Sequence, residues 1–172
     1  MQKTSFTVHI KDNGSLTSER PLKGQEVLLA CGKDGESNIV AWRVNNYLRS
    51  LDWTVDDDCF VEFVDTSSFE GMEVYRRSLS FLLVLASKRA LSEDVFIRHS
   101  ISDGYYCELE SGSVSEDKVW AIKEELKRLV ASDIPLKREI ISGDKAIRIF
   151  TRQGNVDKAN LFRWAAVDPI EV

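Results

Sequence analysis

The order of apolar and polar residues divides this chain into two parts that follow different patterns. Up to about residue 72, apolar residues alternate with polar ones in short segments separated by turn-forming residues. After that point they recur at three- and four-residue steps over longer stretches. Alternation is typical of half-buried strands, and the longer spacing is typical of amphipathic helices. We therefore predict an α+β protein of two domains, 1–72 and 73–172, the second of them incomplete at its C-terminus.

Short strands dominate the first predicted domain. The apolar run 27–31 fits either a buried strand or a short helix, because periodicity does not separate the two over so few residues. Four or five strands with at most one helix indicate a small α+β sheet domain. Alternation and turn chemistry predict strands at 5–10, 39–44, 47–51 and 59–64, with turns at 11–14 and 45–46.

A long helix and a hairpin open the second predicted domain. The helix is expected at 75–91, and the hairpin has strands at 96–101 and 105–109 around a turn at 103–104. The helix would bury one apolar face, made of Leu79, Leu82, Leu83, Ala86 and Ala90.

Two further helices are expected after the hairpin. Ser113 and Glu116 have the spacing of a capping box, in which the serine accepts a hydrogen bond from a free backbone amide and the glutamate reaches back. A strand is predicted at 137–141, and Ser142 is expected to cap a third helix that ends at Gly154. The second domain is therefore also α+β.

The charge is distributed unevenly between the two parts. The 172 residues carry 23 basic and 28 acidic side chains, a net charge of −5. Residues 1–74 hold 7 of the basic and 13 of the acidic residues, so the later part is close to neutral. This balance argues against a dedicated DNA-binding protein, which is usually basic. It leaves the later part as the place to look for RNA contacts.

Cysteines and apolar runs indicate the environment of the protein. The three cysteines lie far apart without a C-x-x-C spacing, which predicts free thiols in a reducing compartment. The acidic run 56–58 lacks the spaced ligands of a calcium loop and is expected to be a solvated turn. The longest apolar run is far shorter than a membrane span. We expect a cytoplasmic protein without a membrane partner.

Three stretches resemble one known arrangement of domains. Residues 41–48, AWRVNNYL, resemble the A-x-x-V-N-G-x-L strand-turn-strand of TGS domains. Residues 69–78, FEGMEVYRRS, resemble the link into the second editing domain of threonyl- and alanyl-tRNA synthetases, and residues 101–106, ISDGYY, resemble a hairpin within that domain. The resemblance implies an N-terminal β-grasp domain of ubiquitin-like fold, followed by an α+β editing-like domain.

The resemblance does not extend to the residues that carry the chemistry of the editing domains. Those domains have a histidine pair, H-x-x-x-H, on the first helix, and the matching positions here are Arg77 and Phe81. Neither side chain can bind zinc, since arginine offers only donors and phenylalanine has no lone pair. We therefore expect no catalytic residue and no metal site, with Phe81 filling the vacated pocket.

A ligand site, if the cleft of the second domain retains one, is expected around the position of the lost histidines. Arg77 is the first candidate, because a guanidinium suits a phosphate or a carboxylate. Arg76, Asp103 and Tyr105 complete the expected ligand-binding set. The alternative is that Arg77 pairs on the surface with Glu73, four residues earlier.

The expected function follows from a second resemblance. A TGS domain followed by an editing-like domain without the histidine pair is similar to the N-terminal region of bacterial uridine-kinase-like proteins. This resemblance implies a downstream P-loop kinase domain in cis, a transferase that would use ATP and Mg²⁺. The present chain has no P-loop motif and needs no cofactor of its own. We expect a non-catalytic accessory or regulatory region that binds RNA or a nucleotide-like ligand, and no DNA.

Basic side chains in the second predicted domain favour RNA. Arg76, Arg77, Lys88 and Arg89 lie on or near one helix, and Tyr105 could offer a stacking face. The alternative is that these charges form the solvated faces of amphipathic helices.

Other functions stay open. One is a metal-independent aminoacyl-tRNA editing hydrolase, with Asp103 as the nearest base, although this residue also fits a turn; another is a threonyl-tRNA synthetase fragment. A third is a protein-interaction module that docks through the sheet of residues 1–65, which exposure of Trp42, Tyr47 or Trp53 would favour.

Overall fold

The computed structural model describes residues 5–33, 35–36, 38–102, 104–134, 136, 139–165 and 169–171. They form the mixed α+β fold that the sequence predicts. The chain divides into two compact units, Met1–Leu129 and Val130–Val172. The domain boundary predicted at residue 72 lies inside the first unit, and that division stays a prediction.

The first unit consists of groups of strands separated by single helices. Its β-grasp part contains β1 Phe6–Ile10, β2 Gly14–Ser18, β3 Leu22–Lys23, α1 Gly24–Ala30, β4 Ile39–Val44, β5 Tyr47–Arg49, β6 Thr54–Val55 and β7 Cys59–Asp65. After these come α2 Phe69–Leu91, β8 Val95–Ile101, β9 Gly104–Leu109 and α3 Glu116–Ala131.

Five of these strands make one sheet in the order β2-β1-β7-β4-β5. The central pair β1 and β7 is parallel, and the other neighbours are antiparallel. Strands β3 and β6 form a separate antiparallel pair. A β-hairpin, a helix and a last strand that returns parallel to the first is the β-grasp arrangement, as expected.

The main core of this sheet forms on one of its faces. In β1, Phe6, Val8 and Ile10 are buried, while the residues between them are not, so the alternation of the sequence becomes the two faces of the sheet. The undecided run at 27–31 lies largely in α1, which buries Val27. Trp42 is fully buried among these residues and donates from Nε1 to the backbone oxygen of Ser50 at 3.0 Å.

Helix α2 is longer and less buried than expected. It begins at Phe69, where the Ser68 Oγ accepts a hydrogen bond from the Gly71 amide at 3.1 Å. Its buried residues lie near its two ends: Gly71, Ala86 and Ser87. The apolar face predicted for its middle is wrong for Leu79, whose side chain is 43% exposed, because spacing does not say which turns a neighbour covers.

The hairpin and the third helix follow closely on α2. Strands β8 and β9 pair antiparallel, with a register shift beside Arg98. Helix α3 begins at Glu116. The backbone amide of Lys118, in its first turn, donates to the Oγ of Ser115 at 3.3 Å. The predicted cap at Ser113 is therefore wrong, because the chain becomes helical two residues later.

The second unit is a small helical pair with a two-stranded ribbon. It contains β10 Ile140–Ile141, α4 Gly143–Arg152, α5 Val156–Ala165 and β11 Ile170–Glu171. Strand β10 is the described remainder of the strand predicted at 137–141, whose residues 137 and 138 lie outside the described part. Ser142 caps α4 as predicted. Helix α5 was not predicted, and Phe162 from it stacks on Phe150 of α4 at 5.4 Å.

The remaining sequence expectations concern thiols and membranes. Cys31, Cys59 and Cys107 are free, and burial raises the pKa of each thiol. Among the described residues, no helix combines the length and the apolar character that crossing a membrane requires.

Candidate functional site

The predicted ligand-binding arginines lie side by side on α2 but in different surroundings. Arg77 is exposed and, within the described part of the chain, forms no ion pair or hydrogen bond. Arg76 is half-buried, and its Nη1 lies 3.4 Å from Oε1 of Glu73. The alternative in which Glu73 pairs with Arg77 is therefore wrong, because the three-residue step directs Arg76 to the carboxylate.

Tyr105, a third predicted site residue, belongs to the hairpin. Tyr105 lies on β9 opposite Ser100 and is 40% exposed, so its ring is accessible for stacking. Asp103 lies outside the described residues. The structure thus places Arg76 and Arg77 on α2 and Tyr105 on β9, all in the first unit, and the ligand-binding role of the four predicted residues stays a prediction.

Phe81 does not fill a pocket. Its side chain is 69% exposed. At about 100° per residue, it lies roughly 140° around α2 from the buried Ala86, which places it on the open side of the helix. The expectation that this ring closes the vacated cleft is therefore wrong.

Most of the basic residues on α2 are neutralised. Lys88 Nζ lies 3.0 Å from Asp94, and a guanidinium nitrogen of Arg89 lies 3.9 Å from Glu125. With Arg76 paired to Glu73, Arg77 is the member of this group that has no carboxylate partner among the residues described. A continuous strip of unpaired basic side chains along α2 is therefore absent from the described surface.

A groove on the other side of the first unit was not predicted. It lies on the face of the five-stranded sheet opposite the core and has a volume of about 380 Å³. Its polar and aromatic lining comes from alternate positions of β1, β4 and β7 and from the turn between β4 and β5: His9, Lys11, Arg43, Asn46, Phe60 and Glu62. We call it the outer-face groove. An available signal was Phe60, an aromatic at an outward position of an alternating strand.

Two aromatic rings meet in the outer-face groove. His9 and Phe60 are register partners on the parallel strands β1 and β7, and their rings stack at 4.8 Å with planes 23° apart. His9 Nδ1 lies 2.9 Å from the Ser15 Oγ. Phe60 is held by Asn45, which accepts from the Phe60 amide at its Oδ1 and donates its own amide to the Phe60 carbonyl, both at 2.8 Å.

A network of ion pairs borders these two rings. Lys11 and Arg43 both pair with Glu62, and Arg43 also pairs with Glu70 at the start of α2. The hydrogen bond donated by Lys11, followed by its positive charge and that of Arg43, lowers the pKa of the Glu62 carboxyl. The hydrogen bond to Glu70 raises the pKa of Arg43. The groove therefore holds both charges in a balanced, hydrogen-bonded set.

The edge strand β5 presents a separate aromatic surface. The Arg49 guanidinium carbon lies 5.4 Å from the ring centre of Tyr47 and 4.7 Å from that of Trp53. Both rings are exposed, whereas Trp42 is a core residue. The exposure of two of these three aromatics favours a docking role for the sheet, which stays a prediction.

Side chains of the types that bind metals do not come together into a metal site in the described part of the chain. None of its histidines, cysteines, aspartates and glutamates form a group of three or more that could hold a metal ion. The acidic run at 56–58 is exposed, and the Asp58 Oδ1 accepts from the Thr7 amide at 2.7 Å, so this carboxylate has a role in joining two strands.

Comparison with known proteins finds threonine–tRNA ligases. The chain is 27% identical to the threonine–tRNA ligase of Halorhodospira halophila over 156 residues, which cover 90% of the chain. It is 30% identical to that of Acidithiobacillus ferrooxidans and 24% identical to that of Coxiella burnetii, in each case over 159 residues and 91% of the chain. No family model matches the chain.

These matches cover most of this chain but only part of each relative. The chain spans about a quarter of their length, since each match covers 24% of the ligase. The similarity supports the resemblance to TGS domains and threonyl-tRNA synthetases, and these ligases give no support to a uridine kinase parent. Over nearly all of its length, the chain is similar to part of a threonine–tRNA ligase.

Proposed function

We propose that this chain is a non-catalytic transfer-RNA-binding module, equivalent to the part of a threonine–tRNA ligase that it matches. The observation that carries the proposal is the similarity to such ligases over about nine tenths of the chain. It favours a ligase-like parent over the uridine kinase that the sequence alone suggested. The parent's activity and substrates are part of this proposal.

The residue types at positions 77 and 81 support the absence of catalysis. Hydrolysis of an aminoacyl ester needs an activated water and groups that stabilise the developing oxyanion. Arg77 has no lone pair to accept a proton at neutral pH, and Phe81 has no polar atom. Arg77 is instead suited to a phosphate, because it is exposed and no described carboxylate competes for it.

Transfer RNA binding at two salt concentrations tests the proposal. We expect measurable binding at 50 mM salt that weakens at 200 mM, since phosphate contacts release counterions. Arg77→Ala should weaken binding and reduce the steepness of the salt dependence. Arg20→Ala is the matched control, because Arg20 is also exposed but already pairs with Glu26 at 2.7 Å. Absence of binding at low salt, or equal effects of both variants, would contradict the proposal.

Incubation with mischarged transfer RNA separates this function from an editing hydrolase. We expect seryl-transfer RNA to be hydrolysed at the same rate with the chain present as without it. Faster hydrolysis that is lost in Asp103→Ala would show that the chain is an enzyme and would overturn the non-catalytic assignment.

A further inference from the structure

We infer that the outer-face groove is a nucleotide-binding site, in which a base stacks on Phe60 and the phosphate pairs with Lys11. The inference deepens the proposed function. It rests on that function only where the bound nucleotide is part of an RNA. It concerns a surface separate from the predicted ligand-binding set on α2 and β9.

The stacking platform is formed by the ring of Phe60. This residue lies on β7, in the middle of the sheet, and yet its side chain is 69% exposed, while its neighbours Cys59 and Val61 are buried. His9 covers part of the ring at 4.8 Å in a nearly parallel orientation. A flat heteroaromatic ring can extend this stack on the exposed part of Phe60, and base–aromatic stacking of this kind needs no particular sequence.

The platform is held in place before any ligand arrives. Asn45 makes two hydrogen bonds of 2.8 Å with the backbone of Phe60. Asn46, the next residue of the same turn, lines the groove, and its side-chain amide provides both a donor and an acceptor. Glu62 adds a second acceptor. These groups match the edge of a nucleobase, which carries donors and acceptors in one plane.

The charges of the groove select a ligand of low charge. Lys11 and Arg43 are balanced by Glu62 and Glu70, so the set has no net charge. Among the described residues, Arg43 pairs with two carboxylates, whereas Lys11 pairs with one and has a side chain that is 61% exposed. Lys11 is therefore the cation that can turn toward a phosphate. One phosphate suits this set better than three, and a volume of about 380 Å³ falls in the range of small-ligand sites.

Titration of the ¹⁵N-labelled chain with AMP, followed by NMR, tests the site. We expect AMP to shift the amide resonances of His9, Asn46 and Phe60, and ATP to bind no more tightly than AMP. Phe60→Ala should weaken AMP binding about fivefold or more, and Phe60→Tyr should retain it. Phe81→Ala is the matched control, since Phe81 is also 69% exposed but lies on α2. Absence of shifts in the groove at 10 mM AMP and with single-stranded RNA, or equal loss in both alanine variants, would overturn the inference.

Oligonucleotides distinguish the two sources of the nucleotide. If the site takes an unpaired nucleotide of RNA, single-stranded hexa-adenylate should bind more tightly than AMP, and a blunt RNA duplex should not compete. If it takes a free nucleotide, AMP and the hexamer should bind equally per nucleotide. Both outcomes support the site, provided that Phe60→Ala reduces binding.

The same experiments separate this inference from the proposed function. Transfer RNA binding that depends on Arg77, with no AMP binding in the groove and no effect of Phe60→Ala, would overturn the groove site alone. Phe60-dependent AMP binding without transfer RNA binding would overturn the proposed function alone.

Discussion

Gly71 lies so close to Asp65 that a Cβ atom at position 71 would stand 1.8 Å from the Asp65 carbonyl oxygen. The contact packs the first turn of α2 onto the end of β7. The Ser68 Oγ lies in the same place, where it donates to the Asp65 carbonyl at 2.8 Å and accepts from the Gly71 amide at 3.1 Å. The glycine of the E-G pair at residues 70–71 is therefore required by a close approach of two backbone segments.

Gly71→Ala should strongly destabilise the protein. The added methyl group meets a backbone oxygen, which cannot move aside without displacing the start of α2 from β7. We expect a loss of about 2 kcal/mol or more in the free energy of unfolding, measured by urea denaturation. Gly35→Ala is the control, since a Cβ there has nothing within 4 Å. A loss at position 71 no larger than that at position 35 would contradict the close approach.

Acid should weaken the fold partly through Glu62. The hydrogen bond and charge of Lys11 lower the pKa of this carboxyl in the folded protein. The stabilisation is therefore complete above the unfolded value of about 4.3 and is lost as the pH falls below it, through the folded pKa. Urea midpoints measured between pH 7 and pH 3 should fall less steeply for Glu62→Gln than for the unaltered protein. An equal or steeper fall for Glu62→Gln would contradict this account.

Lys118 should be more important for stability than an ordinary surface lysine. Its Nζ donates to the Glu93 Oε1 at 2.7 Å, to the Ser111 Oγ at 2.9 Å and to the Ser113 carbonyl at 3.3 Å, which connects α3 with the segments that follow α2 and β9. Lys118→Met should lower the urea midpoint clearly.

Lys127→Met provides the comparison, because Lys127 pairs with Glu124 within one helix at the same distance of 2.7 Å and is 63% exposed. Exposed pairs of this kind contribute little. Equal midpoints for the two variants would show that the contacts of Lys118 add nothing beyond a surface ion pair.

The C-terminal end of α2 should tolerate and favour glycine. Ser92 closes the helix in the left-handed conformation, with φ of 57° and ψ of 20°. Residues with a Cβ atom are strained there and glycine is not, although glycine loses more chain entropy on folding. Ser92→Gly should therefore raise the free energy of unfolding by about 0.5–1 kcal/mol, and Ser92→Ala should not. A lower urea midpoint for the glycine variant would contradict this account of the cap.

The local sequence pattern was sufficient to predict those elements that depend only on residues close together along the chain. Alternation located β1, β4 and β7 within a residue or two. Asn45 and Asn46 form the predicted turn with φ of 46° and 69°, which asparagine tolerates better than most residues. Ser142 caps α4 as predicted, because a cap involves only the next few amides.

Burial was harder to predict, since it depends on what covers a surface. The spacing in α2 marked Leu79 as part of a buried face, but neighbouring elements leave it 43% exposed. The run at 27–31 had no decisive period, and packing of Val27 against the sheet selects the helix α1.

By itself, the sequence determined the α+β class, the alternating faces of the strands and the lack of the histidine pair at Arg77 and Phe81. These properties follow from residue type and from periods of a few residues. Only the tertiary structure decided that His9 meets Phe60, that Arg43 pairs with Glu62, and that Arg77 stands without a described partner. Such contacts depend on strand register and helix rotation, which arise when segments distant along the chain pack together.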